Sequence, residues 1–299
     1  MKDLLSTDEL AEIGKRSDLQ AAWLVFCNYA ITAAIFTGMA LWPNPLTILG
    51  GILLLGGRQL GFGVLVHECG HGTLFANRRL NEWVGEWLAA PPTFNNMKSY
   101  SRGHLKHHQL AGTREDPDLP NYQDYPISKE RLRRKIWRDL SGQTGWKQTR
   151  GLLNGFAKFS LQRPEQRLAL ARGLAFNLAM LALFIYAGAA WLYLVWWTAL
   201  LTSNRLVSRL RQMAEHAAVP DLYDLDPRQN TRTIEASWFD RLVFCPLGVS
   251  YHLEHHMMAS VPIYNLPKLH RLLKARGYYD DVQFPTSYRH MLQLATASA

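Results

Sequence analysis

The sequence predicts an all-α integral membrane protein in which four transmembrane helices form two hairpins beneath a cytoplasmic helical cap. The distribution of charge carries this prediction. No Asp, Glu, Lys or Arg occurs within residues 19–57, and none occurs within residues 173–204. Each stretch is too long for one membrane crossing, which needs about 20 residues. We therefore interpret each stretch as a pair of crossings.

Turn-forming residues divide both stretches. Pro43, Asn44 and Pro45 cannot continue a helix and interrupt the first stretch, and Gly188 with its small neighbours interrupts the second. The predicted crossings lie near residues 21–42, 46–66, 170–187 and 190–208. The cytoplasmic cap then comprises residues 67–168 and 209–299, and the whole chain, 1–299, is one membrane domain.

Charge and cysteine content predict the orientation of the chain. Its 33 Lys and Arg outnumber its 24 Asp and Glu, for a net charge of +9, and neither predicted turn carries any charge. By the positive-inside rule, both turns face outward, and both termini and the cap face the cytoplasm, as in a bacterial inner membrane. The three cysteines form no C-x-x-C pair, which favours a reducing compartment without a disulfide. This orientation explains the basic charge without nucleic-acid binding.

Several smaller segments lie outside the crossings. Ser6 and Glu9 form a capping-box pattern that predicts a short helix before the membrane. The segments 81–88 and 238–244 are predicted to lie on the membrane surface, because their aromatic and charged residues separate onto different faces. Arg58 is left with two interpretations: it extends to the membrane surface, or it lines the mouth of a substrate channel.

The histidines are the most informative feature. Nine of the 11 fall in four short clusters, and we expect His270 and His290, outside them, to be hydrogen-bonded or exposed and replaceable with little effect. On a helix, residues i, i+3 and i+4 project from one side and can converge on a metal. Each cluster follows a crossing or a membrane-surface segment, so the four can meet just outside the lipid. The nine candidate metal ligands are His67, His71, His104, His107, His108, His216, His252, His255 and His256.

Nine imidazoles are too many for one ion, since four ligands fill a tetrahedral zinc site. Two ions with four or five nitrogens each fit better, although imidazole does not choose among iron, zinc, copper and nickel. Two cations held by neutral ligands need carboxylates nearby. Gln212, one helical turn before His216, is a candidate for holding a metal-bound water. The candidate carboxylates beside the clusters are Glu68, Asp116, Asp118, Glu215 and Glu254.

These clusters and their order along the chain resemble those of the membrane-bound fatty acid desaturase superfamily, which has three histidine boxes and one isolated histidine. The segments 115–118 and 230–233 are also similar to segments of bacterial members. The resemblance implies two irons that activate dioxygen, the nine histidines as their ligands, and no catalytic residue beyond those ligands. It also implies that hydrogens leave two adjacent carbons of an apolar chain to form a double bond.

Three functions follow as hypotheses. The first is a di-iron desaturase acting on a fatty acyl or sphingolipid-like chain. The second is a hydroxylase of the same superfamily, acting on a carotenoid, a fatty acid or a small apolar molecule. The third, a membrane metal-binding or transport protein, is disfavoured because the histidines follow the crossings instead of lying at the membrane midplane. No haem-binding segment is recognised, so we expect a separate electron donor, a ferredoxin or a small cytochrome with its reductase.

Overall fold

The fold was analysed in a computed structural model, which describes residues 4–296. The protein is all-α and 72% helical, and the described residues include no strand. Helix α1 (Thr7–Gly14) begins with the predicted capping box, in which Ser6 N donates to Glu9 Oε2 at 2.8 Å and Glu9 N donates to Ser6 Oγ at 3.2 Å. The all-α prediction and the N-terminal helix are therefore confirmed.

Three helices are long and apolar enough to cross a membrane: α2 (Asp18–Leu41), α3 (Pro45–His71) and α8 (Pro164–Tyr186). Asn44 caps α3, accepting from the backbone of Leu46 at 3.0 Å, and Pro45 takes its first position, where a missing N–H costs nothing. The predicted break at residues 43–45 thus both ends α2 and starts α3.

The fourth predicted segment, 190–208, differs from expectation because it is not one continuous helix. Helix α9 (Trp191–Leu201) has 11 residues and ends at Thr202, whose φ of −120° and ψ of −85° are not helical. Helix α10 (Ser203–His216) begins directly after Thr202 and is amphipathic. One of its faces is buried, and its other positions include the charged residues Arg205 and Arg209. The hydropathy of the sequence shows where the apolar stretch lies, but it does not show where the helix breaks within that stretch.

The remaining helices are short and surround the ends of α3 and α10. Two of them match the segments predicted to lie on the membrane surface, and the side chains of Trp83 and Trp238 there are 51% and 76% exposed. These helices are α4 (Arg78–Val84), α5 (Met97–Leu110), α6 (Lys129–Leu140), α7 (Gln143–Ala157), α11 (Pro227–Asn230), α12 (Trp238–Val243), α13 (His252–Met257), α14 (Leu266–Ala275) and α15 (Tyr288–Thr296).

Helix α3 is the central element and packs against α2, α5, α9, α10 and α12. Gly56 allows α10 to approach α3 closely, because a Cβ there would lie 2.5 Å from Ser203 Oγ and 2.7 Å from Asn204 N. Arg58 fits neither interpretation offered from the sequence. It is 3% exposed, and its Nη2 donates to Leu242 O at 2.7 Å, so that it ties α3 to the end of α12.

Candidate metal centre

Four helices bring the nine clustered histidines together. Helix α3 carries His67 and His71 in its last turns, α5 carries the cluster at 104–108, α10 ends at His216, and α13 begins at His252. The end of α3 is fixed by Gly72, which adopts a left-handed φ of 70° that glycine takes without strain. The chain therefore leaves α3 directly after its second histidine.

The histidines form two separate groups. We call them the five-histidine group and the four-histidine group. Within each group the possible ligand atoms all lie within 4.8 Å of one another. The five-histidine group consists of His67, His71, His104, His108 and His255, and the four-histidine group of His107, His216, His252 and His256.

Helices α5 and α13 each serve both groups, in opposite ways. His104 and His108 of α5 join the five-histidine group, while His107 joins the four-histidine group. In α13 the i and i+4 histidines join the four-histidine group, and His255, at i+3, joins the other. Helical geometry explains the division, because i and i+4 lie about 40° apart around the axis, whereas i+3 and i+4 are separated by about 100°. An H-x-x-H-H cluster can thus contribute to two neighbouring sites at once.

The imidazoles fit a pair of metal ions. The Nε2 atoms of His67 and His71 are buried without a hydrogen-bond partner. These nitrogens are therefore available to bind a metal. Other Nε2 atoms point at each other, at 2.9 Å between His108 and His255. Burial, aided by neighbouring histidines, lowers the pKa of His108 to about 2, and burial lowers the pKa of His216 to about 3. These two rings are therefore neutral at physiological pH, the form that binds metals.

Three of the predicted carboxylates contact these rings on the side away from the group. Glu68 Oε1 lies 2.9 Å from His67 Nδ1, and Asp116 Oδ1 lies 2.8 Å from His107 Nδ1. Glu215 Oε1 lies 3.4 Å from the Nδ1 atom of His252. A carboxylate in this position holds the ring orientation and makes the imidazole a stronger ligand.

Comparison with known proteins identifies the family of this chain. The fatty acid desaturase family matches residues 40–288. The chain belongs to this family. It is accordingly an oxidoreductase with the histidine boxes of its relatives.

Individual relatives are distant but cover most of the chain. A dihydrorhizobitoxine desaturase of Bradyrhizobium elkanii is 24% identical over 90% of this chain and 80% of its own length. A beta-carotene ketolase of Paracoccus sp. is 26% identical over 84% of this chain and 93% of its own. A sphingolipid delta(4)-desaturase of Xenopus tropicalis is 24% identical over 92% of this chain and 73% of its own. The family is therefore clear while the reaction differs among the relatives.

Two carboxylates of this desaturase-family chain do not take the expected positions. Asp118 Oδ2 is 4.0 Å from His107 Nδ1, beyond hydrogen-bond distance, and its side chain is 50% exposed. Glu254, fully buried, contacts none of the nine histidines among the described hydrogen bonds. Its Oε1 accepts from His270 Nδ1 at 2.6 Å and from the Tyr279 hydroxyl at 2.7 Å, so it joins α13 to α14 and the segment beyond. The sequence places Glu254 next to a box but does not reveal which way it points.

His270 is hydrogen-bonded and His290 is exposed, as the sequence predicts, and His270 belongs to the Glu254 network. Sequence analysis missed one contributor to the centre. The carbonyl oxygen of Asn230 lies 3.1 Å from His216 Nδ1 and orients that ring. A backbone carbonyl leaves no trace in the sequence, so only the structure could assign this contact. Gln212 lines a cavity together with His67, and its role in holding a metal-bound water stays a prediction.

Proposed function

We propose that this protein is a dioxygen-dependent membrane desaturase whose nine clustered histidines hold two irons. The observation that carries the proposal is the separation of the nine rings into groups of five and four. Neutral imidazole binds iron well, and family membership favours iron over the other metals that imidazole accepts. When bound, the iron pair supplies the activation of dioxygen that removes hydrogen from carbon.

The chain's own residues position and protect this centre. Glu68 and Asp116 hold two imidazoles in their orientations, and Glu215 lies close to a third. Burial of most of the rings keeps bulk water away from the reacting carbons. In this proposal the protein contributes geometry and exclusion of water, and no further side chain acts as an acid or base.

For the topology we propose that α2 and α3 form one membrane hairpin and that α8 and α9 form the other. The uncharged connections 42–44 and 187–190 would then face outward and the histidines would face the cytoplasm. The short α9 would rely on the first residues of α10 to complete its crossing.

The electron donor, we propose, is a separate acidic protein, a ferredoxin or a small cytochrome. A cavity of about 610 Å³ opens beside His71 and is lined by four basic side chains, three of which also pair with carboxylates. A basic surface attracts an acidic carrier, and its position next to the five-histidine group gives electrons a short path. The four basic residues are Arg16, Arg78, Lys98 and Arg102.

Hydroxylation or ketolation is the second candidate, and the similarity to a beta-carotene ketolase favours it. Mass spectrometry of lipids and acids in a host expressing the protein, under labelled dioxygen, separates the candidates. A new double bond without label supports desaturation, and label retained in the product supports oxygen insertion. Expression of His107→Ala or His255→Ala in the same host is the control and should give neither product. Purified protein that binds two zinc ions and consumes no dioxygen would refute both candidates in favour of a metal-binding protein.

A further inference from the structure

Two adjoining cavities lead along α3 and α10 to the histidines. The inner cavity, of about 350 Å³, is lined by His67 and Gln212. The outer one, of about 400 Å³, extends to Phe94 and Trp197. The two are continuous because they share lining residues. The shared residues are Leu60, Gly63, Gln148, Arg205 and Ser208.

The inner cavity is unexpectedly polar for an enzyme acting on an apolar chain. Apart from Leu60, Gly63 and Val64, every residue that lines it has a polar side chain. A hydrocarbon segment in this cavity would cover polar groups without offering them hydrogen bonds, which is unfavourable. An apolar cavity of about 580 Å³ does exist between α2, α8 and α9, but no histidine lines it. The space beside the centre therefore suits a polar molecule.

Three arginines line the inner cavity, and two of them are neutralised by carboxylates. Arg209 forms a two-pronged pair with Asp139, at 2.5 Å and 2.8 Å, and Arg211 Nε lies 2.5 Å from Glu215 Oε1. Arg205 differs, since no carboxylate of the described residues pairs with it. It thus brings an uncompensated positive charge to the inner cavity.

The hydrogen bonds of Arg205 leave a defined set of donors available. Its Nε donates to Leu200 O at 3.0 Å, its Nη2 donates to Asn204 Oδ1 at 2.5 Å, and its Nη1 donates to Gln148. A guanidinium has five N–H groups, so one remains on each terminal nitrogen. Two parallel N–H groups are what a carboxylate accepts in a bidentate pair.

We propose that Arg205 binds the carboxylate of the substrate, which is a free acid and neither a head-group ester nor a hydrocarbon. Arg205 and Gln212 are seven residues apart on α10, which corresponds to about 10 Å along the helix. The carbons to be oxidised would then lie in the inner cavity, which Arg205, Gln212 and His67 all line. The inference rests on the proposed function, because it assumes that the reaction occurs at the histidines.

Binding of a charged and an uncharged probe to the full-length, iron-loaded protein in lipid nanodiscs tests this proposal. Hexanoate and hexanamide have the same shape and differ in charge, and calorimetry measures the affinity of each without electron donor or dioxygen. We expect hexanoate to bind at least about tenfold more tightly than hexanamide, because charge-assisted hydrogen bonds are the stronger ones. Arg205→Gln should remove this preference, and Arg205→Lys should keep part of it. Arg150→Gln, which removes an exposed charge on α7 outside both cavities, should leave the preference unchanged.

Equal binding of the two probes to the unaltered protein would overturn the proposal, as would full preference in Arg205→Gln. Tighter binding of hexyl phosphate than of hexanoate would overturn the choice of a carboxylate. Iron content is measured on the same samples, so a failure of the metal proposal is recognised separately from a failure of Arg205. Thermal unfolding of each variant identifies any variant that does not fold, and Arg205→Lys then carries the test.

Discussion

The rings of the two histidine groups are held in place by different means. In the four-histidine group, Asp116 and the carbonyl of Asn230 hold two rings by hydrogen bonds, and Glu215 lies 3.4 Å from a third. In the five-histidine group, the described hydrogen bonds include one such contact, between Glu68 and His67. The orientations of the other rings depend on the helices that carry them. A smaller ligand set is thus oriented by outer contacts, whereas a larger one has a ligand to spare. This difference makes the two groups unequal in their response to mutation.

The largest expected effect comes from removing one ligand in each group. His107→Ala leaves three imidazoles in its group, so we expect iron to be held more weakly there, up to about half of the bound iron to be lost, and product formation to stop. His108→Ala leaves four and should keep more iron, although turnover falls. Iron per chain by mass spectrometry and product formation are the measurements, with the exposed His290→Ala as control. Full iron and turnover in His107→Ala would contradict the ligand assignment.

A smaller effect is expected from the outer contacts. Asp116→Asn weakens the hold on His107 and should reduce metal affinity or activity roughly 10-fold to 100-fold. The control is Asp118→Asn, because this carboxylate is 4.0 Å away and half exposed. Iron retention during dialysis against a chelator measures the difference. If both variants lose iron at the same rate, Asp116 does not orient the ligand.

One of the two helices that serve both groups, α13, provides the next test. His270→Ala removes one of the partners of the buried Glu254, which should cost about 1–3 kcal/mol of stability. This expectation replaces the sequence-based one that His270 is dispensable. The midpoint of thermal unfolding, followed by circular dichroism, should fall in His270→Ala and stay unchanged in His290→Ala. An unchanged midpoint in both would show that the Glu254 network does not stabilise α13.

The smallest effect concerns the delivery of electrons to the five-histidine group. Arg78, an exposed residue beside His71, should contribute to attraction of an acidic donor. In Arg78→Gln the KM for a ferredoxin should rise a few-fold and depend less on salt, while kcat with a chemical reductant stays the same. Arg150→Gln is the matched control. An equal change in both variants would place the docking surface elsewhere.

Only some features of the two groups could be predicted from the sequence. The convergence of the histidines into groups of four and five was predictable, because i, i+3 and i+4 spacing has a direct geometric meaning, while the number of ions stays a prediction. The assignment of His107 to one group and His108 to the other was not, since it depends on which helices face them. Contacts such as Asn230 O with His216 were out of reach because the backbone carbonyl is the same in every residue.

The membrane part had the same kind of limit. The break at residues 43–45 was predictable from two prolines and an asparagine, whose backbone preferences are local. The break at Thr202 was not, because threonine in an apolar stretch carries no comparable local signal and tertiary packing decides the backbone there. Arg58 was misread for a related reason, since its acceptor, Leu242 O, is far away in the sequence.

The break at Thr202 affects how the protein adapts to membranes of different thickness. Helix α3 runs without a break from Pro45 to His71, so a tilt that adapts it to a thinner or thicker membrane also moves His67. Helix α9 is separated from α10 and its His216 by the non-helical residue Thr202, so a tilt of α9 would be passed to His216 less directly. Under the proposed topology, membrane composition would therefore act on the five-histidine group more directly than on the four-histidine group.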